Sequence, residues 1–121
     1  MKGTVKWFHT QKGYGFVVGE DGAEYFTHQT QIKMDGFRKL DEGDIVEFKI
    51  GKGAYDRIQA EKIVPILTLQ MMKDRARKEH VYLKETTGIE KNGWMIVDRN
   101  NFILAGEHGM SLTELNDYFT E

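Results

Sequence analysis

The segment KGYGFV at residues 12–17 places aromatic and small side chains at alternating positions. Because successive side chains of a β-strand point to opposite faces of a sheet, Tyr14 and Phe16 share one face and Gly15 and Val17 share the other. An aromatic face of this kind suits unpaired nucleobases, which stack on rings with about 1–3 kcal/mol per base. Lys12 adds a cation for phosphate. The segment therefore predicts a strand with a base-stacking surface.

The residues around this segment predict an all-β unit. Short apolar runs separated by turn residues such as Asp21-Gly22 and Asp35-Gly36 indicate strands. The predicted strands are 3–8, 14–19, 24–28, 44–50 and 57–64. Since five short strands leave long bare edges in an open sheet, we expect them to close into a five-stranded Greek-key barrel. Its expected interior is Val5, Val17, Ile32, Leu40, Val46, Phe48, Ile50 and Ile63.

Further aromatic residues are predicted to extend the stacking surface. In the strand 24–28, alternation places Phe26 and His28 on one face and turns Tyr25 and Thr27 away. Strict alternation cannot bring Lys6, Trp7 and Phe8 to a single face, so a β-bulge is expected there. Phe37 lies in a predicted loop, where a ring either packs beneath the loop or covers a ligand. The competing interpretation is that these rings are ordinary core, but the aliphatic positions already fill a small barrel.

The only proline, Pro65, is the predicted domain boundary between residues 1–64 and 65–121. Apolar residues spaced by three and four predict a helix over 66–87 with Gly88 as its C-cap. Asn92-Gly93 is a hairpin signal before strands at 94–98 and 102–105, and Ser111 with Glu114 forms a capping-box pattern before a last helix. The second half is therefore predicted to be a small α+β domain of helix, β-hairpin and helix.

Composition excludes several classes of protein. The chain carries 17 Lys plus Arg against 19 Asp plus Glu, a net charge of −2, which argues against binding of phosphate by bulk attraction. It contains no cysteine, so thiolate zinc sites and thiol catalysis are excluded and the cytoplasm is the expected compartment. The histidines are isolated, so we expect no metal site. The carboxylate pairs lie in solvated turns, so we expect no enzyme and no cofactor. The sequence also lacks an apolar run of membrane length.

Four ordered motifs give the first half a family resemblance. GTVKWF at 3–8, KGYGFV at 12–17, FTH at 26–28 and DGFRKLDEG at 35–43 resemble a bacterial-type cold-shock domain in order and spacing. The resemblance covers about half of the chain and implies a five-stranded OB-type barrel that binds single-stranded RNA or DNA. It places nucleic-acid contacts at Lys6, Trp7, Lys12, Tyr14, Phe16, Phe26, His28 and Phe37, with Phe8 a partial contributor and Arg57 a looser match.

The sequence departs from the family pattern at three places. Gln29 stands where an aromatic residue follows the histidine, so one stacking ring is missing. Tyr25 and Thr27 replace the two valines that flank the central phenylalanine. Residues 54–56, Ala-Tyr-Asp, replace a Gly-Pro turn. A lost ring predicts binding weaker by about 1–3 kcal/mol.

Two functions follow from these patterns. The first is a passive RNA chaperone, which binds unpaired strands and thereby shifts their melting. The alternative is a protein-interaction adaptor, in which residues 65–121 recruit a partner and nucleic-acid binding is weak. Three destinations are open for the apolar residues of the second half: a core of its own, the back of the barrel, or a second copy of the chain. Because a lone core of this size rarely supplies much stability, we expect a homodimer first and docking on the barrel second.

Overall fold

The computed structural model describes residues 1–34, 38–86 and 93–120 and divides the chain into two compact units, Met1–Thr68 and Leu69–Glu121. The first unit is a closed five-stranded barrel, and the second contains a three-stranded sheet and two helices. This architecture confirms the predicted fold class, a mainly β barrel followed by a small α+β domain. The last barrel strand continues through Pro65, so the first unit ends at Thr68.

The barrel strands are β1 Lys2–His9, β2 Tyr14–Gly19, β3 Glu24–His28, β4 Ile45–Lys52 and β5 Ile58–Leu67. They follow the order β1-β2-β3-β5-β4 and close between β1 and β4. Four of the five pairings are antiparallel, whereas β3 and β5 run parallel where Phe26 lies opposite Gln59. The turn between β2 and β3 uses Gly22 at φ 82°, as the Asp-Gly signal predicts.

The barrel interior contains every predicted core residue except Ile50. Ile50 is 53% exposed because β1 covers β4 only at Ile45–Glu47, and Ile50 lies farther along the β4–β5 hairpin. The prediction for this residue was wrong, since alternation within one strand does not show where its neighbour ends. The buried cluster is Val5, Val17, Tyr25, Ile32, Leu40, Val46, Phe48, Ala60 and Ile63.

The first helix of the second unit is shorter than predicted. Helix α1 spans Leu69–Lys78 and buries Leu69, Met72 and Ala76. It ends where His80 adopts φ 60° and the Val81 N–H donates to the Ala76 carbonyl at 3.0 Å, a left-handed C-terminal closure. The following residues form strand β6, Tyr82–Thr86, instead of more helix. Gly88, the predicted C-cap, lies outside the described residues.

Strand β6 pairs with β7, Gly93–Val97, which forms the predicted hairpin with β8, Ile103–Met110. Helix α2, Leu112–Thr120, begins with the predicted capping box. The Glu114 N–H donates to the Ser111 hydroxyl, and the Ser111 N–H donates to the Glu114 carboxylate, both at 3.2 Å. Arg75 joins the two helices by donating to the Phe119 carbonyl at 2.8 Å. Ile96, Leu115 and Phe119 are buried in this unit.

Candidate nucleic-acid interface

A β-bulge at Lys6 turns Trp7 to the outside of the barrel. Val5 lies opposite Val17 and Trp7 lies opposite Phe16, so β1 advances two residues while β2 advances one. Val5 is therefore buried whereas Trp7 is 39% exposed. The structure confirms the predicted bulge, which brings Lys6 and Trp7 to the outer surface.

Phe8 follows Trp7 and takes a different position. It lies opposite Gly15, is half-buried and packs against the core cluster. Gly15 allows β1 to approach closely: a Cβ atom at this position would lie 2.1 Å from the Trp7 carbonyl oxygen and 2.7 Å from the Phe8 Cα. The glycine is thus required by the backbone contact, and Phe8 contributes more to the barrel wall than to the aromatic surface.

Four side chains, Trp7, Tyr14, Phe16 and Phe26, form a continuous group on the outer surface, which we call the ring cluster. Trp7 lies at a centroid distance of 5.8 Å from Tyr14 and 5.4 Å from Phe16. Phe26 lies at 5.9 Å from both Tyr14 and Phe16, stacked on the first and edge-on to the second. Strands β2 and β3 produce this arrangement because Phe16 and Phe26 are directly opposite each other.

His28 extends the ring cluster at the end of β3. It lies opposite Tyr14, and its ring centroid is 6.5 Å from that of Phe26. The Thr30 N–H donates to His28 Nδ1 at 3.2 Å, and the Thr30 hydroxyl lies 2.9 Å from the same nitrogen. These contacts orient the imidazole and leave Nε2 as the donor of the neutral ring.

The three predicted cations have different surroundings. Lys6 forms an ion pair with Glu24, an exposed residue at the start of β3. The sequence interpretation missed this partner, which lies across β2 from Lys6. The Arg57 guanidinium carbon lies 4.2 Å from the Phe26 ring centroid, a cation–π contact. Lys12 is exposed in the β1–β2 turn, where its backbone N–H donates to His9 Nδ1 at 3.2 Å. Phe37, the remaining predicted contact, lies outside the described residues.

The hydroxyl groups of Tyr25 and Thr27 are hydrogen-bonded. The buried Tyr25 donates to Asp21 at 2.5 Å, and the Thr27 hydroxyl donates to the Tyr25 carbonyl at 3.1 Å. The bonds from Tyr25 and from the Ala23 N–H hold the pKa of the Asp21 carboxyl below its ordinary value, and the same contact raises the pKa of Tyr25. The two substitutions that depart from the family pattern are therefore accommodated below the surface.

The surface has the properties of a stacking platform. Its rings are partly exposed and mutually braced, while aliphatic side chains fill the interior.

Among residues 1–34, 38–86 and 93–120, no group of three or more His, Cys, Asp or Glu side chains is placed to hold a metal ion. In the same residues, no helix is long and apolar enough to span a membrane.

Comparison with known proteins places these features in a family. The family model of the 'cold-shock' DNA-binding domain matches residues 1–66. The cold shock-like protein of Thermotoga maritima is 49% identical over 53 residues, which are 44% of this chain and 80% of that protein. Cold shock protein 1 of Lactiplantibacillus plantarum is 50% identical over 64 residues, 52% of this chain and 94% of that protein.

Two further matches cover smaller parts of their proteins. Glycine-rich protein 2 of Nicotiana sylvestris is 52% identical over 60 residues, 49% of this chain but 28% of that protein. The solved structure of drosophila Unr CSD456 is 19% identical, with a TM-score of 0.43, and the match covers 85% of this chain and 47% of that chain.

Proposed function

We propose that the barrel binds single-stranded RNA or DNA by base stacking, because this chain belongs to the family of the 'cold-shock' DNA-binding domain. The observation that carries the proposal is the ring cluster. Its four rings lie on the outside of a closed barrel, at centroid distances of 5.4–5.9 Å from their neighbours. Bases stack on such rings with about 1–3 kcal/mol each, whatever their sequence.

Phosphate contacts are secondary in this proposal. Residues 1–64 carry ten basic and ten acidic side chains, and Lys6 is already paired with Glu24. Lys12 is exposed in the β1–β2 turn, and Arg57 lies over the Phe26 ring. Because affinity falls with salt in proportion to the number of phosphates neutralised, we expect only a shallow salt dependence.

Such binding makes the protein a passive RNA chaperone. A ligand that binds the unpaired strand and not the duplex stabilises the unpaired state by mass action, without ATP. Transcripts would be opened and then released as the complex dissociates. A cytoplasmic location is part of this proposal, and a chain without cysteine suits that reducing compartment.

Tryptophan fluorescence tests the proposal directly. The chain has two tryptophans, so a Trp94→Phe variant retains Trp7 in the ring cluster as the sole reporter. We expect oligouridine to quench this emission at micromolar protein and low salt, and a blunt-ended duplex of fully paired bases to quench it far less. Absence of a response to any single strand would contradict stacking on the ring cluster.

A second candidate function, protein interaction through residues 65–121, is favoured by a different observation. Phe102, Ile103 and Leu104 are 68%, 51% and 49% exposed at the start of the edge strand β8. Consecutive exposed apolar residues on a sheet edge favour association. We propose that residues 65–121 form a homodimer. The adaptor alternative is that they recruit another protein.

Light scattering of the full chain separates these forms. Dimerisation predicts twice the chain mass for the wild type and the monomer mass for an Ile103→Lys variant. A monomer mass for both proteins would contradict the homodimer.

A further inference from the structure

The β4–β5 hairpin ends in a turn with an unusual backbone. The last strand pair is Lys52 with Ile58, and the turn closes where the Arg57 N–H donates to the Ala54 carbonyl at 3.2 Å. Its two central residues, Tyr55 and Asp56, have φ values of 59° and 58°. Both therefore adopt the left-handed conformation of a type I′ turn, for which Asn-Gly is the preferred sequence.

Tyr55 suits neither the turn nor the interior. A left-handed backbone costs an L-residue about 1–2 kcal/mol, and a bulky aromatic side chain offers no local hydrogen bond that offsets it. The Tyr55 side chain is also fully exposed, with a relative exposure of 101%. A strained backbone that carries a large exposed ring indicates a functional residue, because the folded protein gains little from the ring itself.

The position of Tyr55 in the hairpin places its backbone near the ring cluster. Arg57 lies two residues farther along the chain, so the two Cα atoms are at most about 7 Å apart. The Arg57 guanidinium in turn lies over Phe26, at 4.2 Å from the ring centroid. The hairpin tip is thereby tied to one end of the ring cluster, and strand β5 continues to Gln59, which pairs with Phe26 itself.

We propose that Tyr55 is a further base-stacking residue, which extends the ring cluster beyond Arg57 and holds one more unpaired nucleobase of the bound strand. The inference rests on the proposed function of the barrel. Stacking buries a ring that is otherwise in water. Arg57 follows Tyr55 by two residues and its guanidinium lies over Phe26, so the proposal assigns to Arg57 the phosphate between a base on Tyr55 and the bases on the ring cluster.

Substitutions at Tyr55 test this inference in the Trp94→Phe background. Tyr55→Asn removes the ring while suiting the left-handed turn, so its unfolding temperature should be unchanged or higher. With oligouridines of about 3 to about 12 nucleotides, we expect its Kd for the longest strands to rise about fivefold, the low end of the stacking range. Its affinity should also stop increasing at a shorter length than that of the parent protein.

Two further variants control the experiment. Tyr55→Phe should bind as the parent does, because stacking uses the ring and not the hydroxyl. Tyr82→Ala removes another exposed tyrosine, from the second unit, and should leave the Kd unchanged.

The outcomes separate this inference from the proposed function. Oligouridine binding by the parent, with the same Kd and the same length dependence in Tyr55→Asn, would overturn the role of Tyr55 alone. Failure of the parent itself to respond would overturn the proposed function. Unchanged RNA binding with a lower mass in light scattering would assign Tyr55 to a protein contact and would also overturn the inference.

Discussion

Phe16 and Phe26 lie directly opposite each other on β2 and β3, with ring centroids 5.9 Å apart and ring planes at 75°. Both rings are half-buried, and each also contacts a third ring, Trp7 for Phe16 and Tyr14 for Phe26. Cross-strand contact therefore braces the rings that the proposed function uses, and leaves part of each exposed.

Removal of one of these rings should affect binding more than folding. Phe26→Ala is expected to weaken oligouridine binding by about 1–3 kcal/mol, because one stacking surface and the site of Arg57 are lost. The measurement is a fluorescence titration in the Trp94→Phe background beside a thermal unfolding curve. Phe48→Leu is the matched control: Phe48 is buried, so this variant should lose about 1 kcal/mol of stability and keep its affinity. An unchanged Kd for Phe26→Ala would argue against the stacking surface.

Gly15→Ala should disturb both the fold and the interface. The added Cβ would lie 2.1 Å from the Trp7 carbonyl oxygen, so β1 must move away from β2. We expect a loss of about 1–3 kcal/mol in the free energy of unfolding, measured by urea denaturation, and weaker binding as Trp7 separates from Phe16. Gly22→Ala is the control, since its Cβ meets open space at φ 82°. It should cost about 1 kcal/mol for its backbone alone and leave the Kd unchanged.

Glu24→Gln should strengthen binding. The ion pair holds Lys6 against Glu24, and its removal frees Lys6 for phosphate. We expect a lower Kd and a plot of log Kd against log salt that is steeper by up to about one phosphate contact. Glu42→Gln changes the net charge equally at an exposed loop residue and should have a smaller effect. If the two variants bind alike, general charge and not Lys6 explains the gain.

Tyr25→Phe should reduce the dependence of stability on pH in acid. The Tyr25 hydroxyl lowers the pKa of Asp21 in the folded state, so the folded protein binds that proton less tightly than the unfolded chain. The resulting stabilisation is complete above the ordinary aspartate pKa of about 3.9 and is lost as pH falls through the lower folded value. Melting temperatures should differ between wild type and Tyr25→Phe near neutral pH and converge in strong acid.

The same hydrogen bond has the opposite effect at high pH. It raises the pKa of Tyr25, so this stabilisation is present below the ordinary tyrosine pKa and is lost as pH rises through the folded value. Asp21→Asn should remove both dependences. Parallel pH curves for wild type and Tyr25→Phe in acid would contradict the contact.

Local pattern was sufficient to predict the strands that carry the ring cluster and the direction of its rings. The bounds of β2 and β3, the outward faces of Phe16 and Phe26, and the bulge beside Trp7 all follow from alternation with a period of two residues. The alternation arises from the local backbone of a strand, so the sequence shows it without knowledge of the rest of the chain. The capping box at Ser111 is local in the same sense.

Other features depended on partners distant in sequence. Ile50 is exposed because β1 ends its pairing with β4 earlier, and residues 82–86 form a strand because β7 pairs with them. Lys6 is paired because the barrel brings Glu24 beside it, and Arg57 lies over Phe26 because β5 runs along β3. The sequence alone thus determined which aromatic side chains of one strand share its outer face. Only closure of the barrel set the distances between strands, since those distances depend on pairings whose members are far apart in the chain.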